Sequence, residues 1–143
     1  MASELLQVAD AVVTALNIGG LISPITAVRS YVPQYELQDM GVMHVTVVPS
    51  GMIQVREVKT MCVYDYAIDI AVQKRPKTIE PADMDALTDL TQAIAESFRL
   101  KRLDAFPTAA WLSTAYTAIF DPDHLARFRQ FTGVFTLNFR VVR

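Results

Sequence analysis

The chain has 143 residues, 52% of them hydrophobic and 20% charged, with 5 glycines, 7 prolines and a formal net charge of −2. This is too apolar and too weakly charged for a disordered chain, too poor in glycine and proline for a collagen-like or linker sequence, and of a length that suits one domain, 1–143. No apolar run approaches the roughly 20 residues that a membrane helix requires.

The first residues, Met1-Ala2-Ser3-Glu4-Leu5-Leu6, put an acid before a short apolar run and lack the basic segment of a secretory signal. Cys62 is the single cysteine, so no internal disulfide can form, and a soluble protein of a reducing cytoplasm is expected. Charge is unevenly distributed. Residues 1–98 carry 12 acids and 6 bases, a net of −6, whereas residues 99–143 carry 3 acids and 7 bases, a net of +4. Such polarity suits stacking against further copies or an oppositely charged partner, and it also arises by chance in a short chain.

Ser3 is placed to cap a first helix over about 3–17, with Leu5, Val8, Ala9, Val12, Val13 and Leu16 on one stripe and Asn17, Gly19 and Gly20 ending it. The β-branched and aromatic segment Ile25 to Tyr35 predicts a strand, with Pro33 marking an edge or an end. Val42 to Val48 predicts a second strand, closed by a turn at Pro49-Ser50-Gly51. Ile53 to Thr60 alternates imperfectly, as an extended hairpin arm or a loop would. The clearest strand follows. Cys62, Tyr64, Tyr66, Ile68, Ile70 and Val72 fall on one face and Val63, Asp65, Ala67, Asp69 and Ala71 on the other.

Pro81 and the acids Glu80, Asp83 and Asp85 open a second helix with the stripe Met84, Leu87, Leu90, Ile94 and Phe98, and with Arg99, Lys101 and Arg102 at its end. A strand over about 109–120, a turn at Asp121-Pro122-Asp123, and a last strand complete the chain. The last strand turns Phe131, Gly133, Phe135, Leu137, Phe139 and Val141 inward and Thr132, Thr136, Asn138 and Arg140 outward. The order α-β-β-β-α-β-β predicts an α+β fold, two helices packed on one mainly antiparallel sheet.

No catalytic constellation emerges, and a non-enzymatic protein without cofactor or metal is expected. Cys62 lies on the core face of its strand, where a thiol is a small inert hydrophobe rather than a nucleophile served by His44 or His124. Asp65 and Asp69 share a face but stand about 13 Å apart, at roughly 3.3 Å per residue, too far for paired acid–base work or for one metal. Glu80, Asp83, Asp85 and Asp89 suit the start of a helix dipole better than a metal. Arg127-Phe128-Arg129-Gln130-Phe131 interleaves bases with aromatics, yet in an acidic protein these read better as core and rim than as a nucleic-acid surface.

Three stretches carry a family resemblance: Ala27 to Pro33 leading to Val45-Thr46-Val47-Val48-Pro49; the strand Tyr64 to Lys74 with the helix over 83–100; and the terminal segment Arg129 to Arg140. In these phrases and in element order the chain resembles the tail-terminator (tail-completion) proteins of long-tailed bacteriophages. The resemblance implies a virion structural protein of the tail or neck, assembled in the host cytoplasm. It implies a ring, usually of six copies, that caps the tail tube, ends its polymerisation and joins it to the head connector. Its partners would be further copies, the tail-tube protein and a head-connector or neck protein. No membrane and no sequence-specific nucleic acid are implied, with DNA passing through the ring. Another neck or head-completion connector, or a small non-catalytic ligand-binding domain, is the alternative.

The resemblance also implies that the arm after Gly51 faces the tube, through Met52, Ile53, Val55, Arg56, Glu57, Val58 and Lys59. Its apolar side chains have few partners in a domain of this size, so it is expected to be mobile alone and to order on the tube; a strand paired within the sheet is the other reading. Asp65, Asp69, Arg127, Arg129 and Arg140 are the expected subunit-interface residues.

Overall fold

A computed structural model describes residues 3–23, 25–31, 43–74, 80–118, 122 and 130–143. The elements run α1 (Glu4–Gly19), β1 (Val28–Arg29), β2 (His44–Val58), β3 (Met61–Lys74), α2 (Pro81–Glu96), β4 (Arg102–Leu103), β5 (Phe106–Ala118) and β6 (Phe131–Val142). The six strands form one sheet in the order β1-β2-β3-β6-β5-β4, antiparallel throughout except where β1 pairs with β2. This is the expected α+β fold.

Helix α1 starts where its cap chemistry dictates, because the Ser3 hydroxyl accepts the Leu6 N–H at 3.3 Å. It runs past Asn17 and stops at Gly20, whose φ of +80° is left-handed backbone that glycine adopts without steric cost. Asn17 instead holds the chain that follows: its Oδ1 accepts the Ala27 N–H at 2.8 Å. Helix α2 has Pro81 in its first turn and no side-chain cap. Arg99, Lys101 and Arg102 lie beyond its end at Glu96, in the turn and in β4, so none sits in the last helical turn as expected.

Both helices cover one face of the sheet. Val8, Val12 and Leu16 of α1 and Leu87 and Ile94 of α2 join Tyr66, Ile68, Ile70 and Val72 of β3 and the alternate residues Phe131 to Val141 of β6 in one core. The inward set expected for β6 is buried, but Thr132, expected to face outward, is buried as well. Phe98, just past α2, meets Phe139 edge-on, with ring centroids 6.3 Å apart and an interplanar angle of 82°.

The strands differ from expectation in four places. Strand β1 is two residues long; residues 25–27 and 30–31 of the expected strand are described and are not strand, while 32–35 and most of the turn at 121–123 lie outside the described residues. No turn interrupts β2 at Pro49-Ser50-Gly51. The strand passes through with a register shift between Pro49 and Gly51, and a second between Gln54 and Arg56. Proline is tolerated there because β1 pairs only with Thr46 and Val47, which leaves Pro49 on an open edge. Residues 53–58 are therefore strand, paired with β3 down to Val58 opposite Met61. Strand β4 was not foreseen.

The fourth correction concerns Cys62, which is half-buried near the hairpin end and not in the core, with its Sγ 3.8 Å from Glu57 Oε1. Cys62→Ala is accordingly expected to cost less than about 1 kcal/mol, as substitutions outside a packed core do, measured by urea denaturation. A loss of several kcal/mol would mean that the thiol is packed more tightly than this.

Candidate interaction surfaces

The β2–β3 hairpin carries a cluster of four exposed apolar side chains. Met52 is 60% exposed, Ile53 67%, Val55 47% and Val58 42%. The pairing explains why. Met52 stands opposite Tyr66 and Gln54 opposite Tyr64, on the helix side of the sheet but beyond the core, while Ile53 opposite Asp65 and Arg56 opposite Val63 face the other way. Gln54 Nε2 donates to Glu57 Oε2 at 2.8 Å, which stiffens the outer half of the arm. All seven residues expected to face the tube, Met52, Ile53, Val55, Arg56, Glu57, Val58 and Lys59, are thus brought together on one exposed hairpin.

The face of the sheet away from the helices carries a polar row across β3, β6 and β5. Arg140 donates from Nε and Nη2 to the two oxygens of Asp65 at 2.8 and 3.0 Å, a bidentate fork that raises the guanidinium pKa above its ordinary value. Thr136 donates to Asp69 at 2.6 Å, and Asn138 donates to Ser113 at 3.1 Å. Register produces these pairs, since Asp65 lies directly opposite Arg140 and Asp69 opposite Thr136. Of the five expected interface residues, Asp65 and Arg140 bind each other and Asp69 binds Thr136, all within the chain. Arg127 and Arg129 lie outside the described residues.

A second polar group ties the two ends of the described chain to β3. Tyr66 donates its hydroxyl to Glu4 Oε1 at 2.6 Å, and Arg143 reaches the same carboxylate at 3.1–3.2 Å while its guanidinium lies 4.8 Å from the Tyr64 ring centroid. The Cys62 and Arg143 backbones exchange two hydrogen bonds of 2.6 and 2.9 Å. Burial, then the Glu4 contact, pushes the Tyr66 hydroxyl up to about 12. Sequence reasoning placed Tyr66 on the core face but had no signal for this clasp.

Between the end of α2 and the outer edge of β5 lies an open cleft of about 280 Å³, lined by Glu96, Arg99, Trp111, Thr114 and Tyr116 among others. The indole N–H of Trp111 donates to Thr114 at 2.9 Å. Of these positions only Arg99 stood out in the sequence, and there as a helix end rather than as part of a cleft.

Among the described residues no three His, Cys, Asp or Glu side chains gather as a metal would need. His44 pairs with Gln73, eleven residues along β3 from Cys62, a separation of roughly 35 Å that rules out a thiol–imidazole pair between them. His124 lies outside the described residues. No helix among the described residues is long and apolar enough to cross a membrane.

No family model matches the chain, and no curated protein matches it in sequence. Among solved structures, the fold is similar to the sheath/tube terminator of an extracellular contractile injection system, PVC, determined by cryo-EM in the extended state. The TM-score is 0.53 at 12% identity, over 100% of this chain and 58% of that one. At this identity the likeness is one of fold, and the chain spans little more than half the length of that terminator.

Proposed function

We propose that this protein is a tail terminator: a non-enzymatic structural protein that forms a ring on the finished tail tube of a phage-like particle and stops its growth. The observation that carries the reading is the whole-chain fold similarity to a sheath/tube terminator. The exposed hairpin 52–59 supports it as the tube-facing element, because apolar side chains held out on a regular scaffold mark a contact surface. In this reading the chain is a single domain, six copies make the ring, the opposite ring face meets the head connector, DNA passes through the lumen, and the ring assembles in the host cytoplasm with no cofactor. Asp65, Asp69, Arg127, Arg129 and Arg140 lie at or near subunit contacts, with the Asp65–Arg140 fork presenting a rigid polar face.

The test uses the tail-tube protein of the same particle. Native mass spectrometry of the two together should give a species ending at one ring size, and electron microscopy should show tubes capped at one end with their growth stopped. Replacing residues 53–58 by a short glycine–serine turn should leave the helical and strand circular dichroism intact and abolish capping. A folded variant that still caps tubes removes the hairpin as the docking element. A protein that stays monomeric and leaves tube growth unchanged refutes the terminator reading.

A further inference from the structure

Beside the two-residue edge strands β1 and β4, two long runs of strand lack a strand neighbour on one side among the described residues. On β2, pairing with β1 stops at Val47, so residues 50–58 are unpaired on the side away from β3. On β5, pairing with β4 involves Phe106 and Ala110, and Trp111 N–H donates to Lys101 O at 2.9 Å; residues 112–118 are then unpaired on the side away from β6. Both runs are well exposed at their centres, from Met52 to Val58 on one and at Leu112, Ser113, Ala115 and Tyr116 on the other. Open edges of this length template pairing with another chain unless something covers them.

The two edges cannot satisfy each other within one chain, because β3 and β6 stand between them. They are matched between chains in three respects. The first is direction: β2, β3, β6 and β5 are joined by three antiparallel steps, so β2 and β5 run in opposite senses. A neighbour in the same orientation therefore offers its β2 edge antiparallel to β5, in the stronger ladder geometry. The second is the face on which apolar groups lie. Met52 is on the helix side, opposite Tyr66, and Trp111 and Tyr116 are on the helix side, opposite Phe139 and Phe135. The third is charge. Glu57, opposite Cys62, also faces the helix side, and Arg99 lines the cleft beside β5.

We propose that the β2 edge of one copy pairs antiparallel with the β5 edge of the next, seating Met52 at the mouth of the Trp111–Tyr116 cleft and turning Glu57 toward Arg99. The inference rests on the ring reading above and names the contact that closes it. A contact between two different patches is heterologous, and it generates a ring when its rotation closes. The register shifts on β2 and β5 bend both edges, which supplies curvature to a sheet that continues from copy to copy. Met52 and Glu57 then serve the contact between copies rather than the tube, while Ile53 and Arg56 on the opposite face of the hairpin and Val58 and Lys59 at its tip stay available to the tube.

The test is a directional cross-link. In a Cys62→Ala background, Met52→Cys and Tyr116→Cys are combined and bridged with a short bismaleimide. The double variant should give a ladder of covalent oligomers ending at the ring size, while each single variant gives no covalent oligomer under denaturing conditions. Independently, Glu57→Arg should weaken self-association about tenfold, and Glu57→Arg with Arg99→Glu should restore it, the signature of a specific charge pair. Rings seen by native mass spectrometry without a ladder overturn the edge contact and leave the ring reading standing. Covalent dimers from a single-cysteine variant indicate a symmetric contact and overturn it as well. A monomer at every concentration, with and without tube protein, overturns both.

Discussion

Phe139→Ala is expected to lower the unfolding free energy by about 3–5 kcal/mol and the midpoint of thermal unfolding by roughly 10–20 °C. Phe139 is fully buried, stands between Tyr66 on β3 and Trp111 on β5, and takes the edge of Phe98 from the turn after α2. The side chain thus joins the two central strand pairs to the second helix. Its removal forfeits the transfer free energy of a large ring and leaves a cavity that three fixed backbones cannot close. Phe139→Leu, which restores most of the volume, should recover more than half of the loss. Calorimetry of the three proteins decides the matter. A loss below about 1 kcal/mol for the alanine variant would show that α2 does not depend on this ring.

At high pH the protein is expected to lose stability through Tyr66 in particular. Its hydroxyl is buried and donates to Glu4, and both effects favour the neutral form, moving the pKa from 10.0 to about 12. The folded-state pKa lies above the unfolded one, so the contribution is complete below pH 10 and is lost as the pH rises through about 12. A shift of that size corresponds to roughly 2–3 kcal/mol at the alkaline limit. Tyr66→Phe has no hydroxyl to ionise. It should be less stable than the parent at pH 8 by about 1 kcal/mol, the worth of a typical hydrogen bond, with the deficit shrinking and reversing above pH 11. Urea denaturation at pH 8, 10 and 11.5 makes the comparison, which separates Tyr66 from the lysines and other tyrosines that titrate in the same range. Parallel pH curves for the two proteins would show that the Tyr66–Glu4 contact does not form.

The chain by itself determined the elements whose pattern is local. The Ser3 cap, the stripes of α1 and α2, and the alternation through the middle of β3 and β6 each record one buried face. Burial at a period of 3.6 or 2 residues leaves its mark on consecutive side chains. The exposure of Met52, Ile53, Val55 and Val58 was legible for a related reason: charges interleaved with apolar residues cannot form a closed inner face.

Tertiary structure alone decided what depends on partners far along the chain. Proline, serine and glycine in succession read as a turn, yet β2 continues through 49–51, because thirteen pairings with β3 outweigh a local preference on an edge that asks nothing of the Pro49 nitrogen. Cys62 alternates with the core residues but lies past the region the helices cover, so periodicity identified its side of the sheet and not its depth. The Asp65–Arg140 fork and the Glu4–Tyr66 contact join residues 75 and 62 positions apart, and the cleft needs the end of α2 laid beside β5. Strand register sets such meetings, and register is settled by the packing of the whole sheet, which no window of neighbouring residues contains.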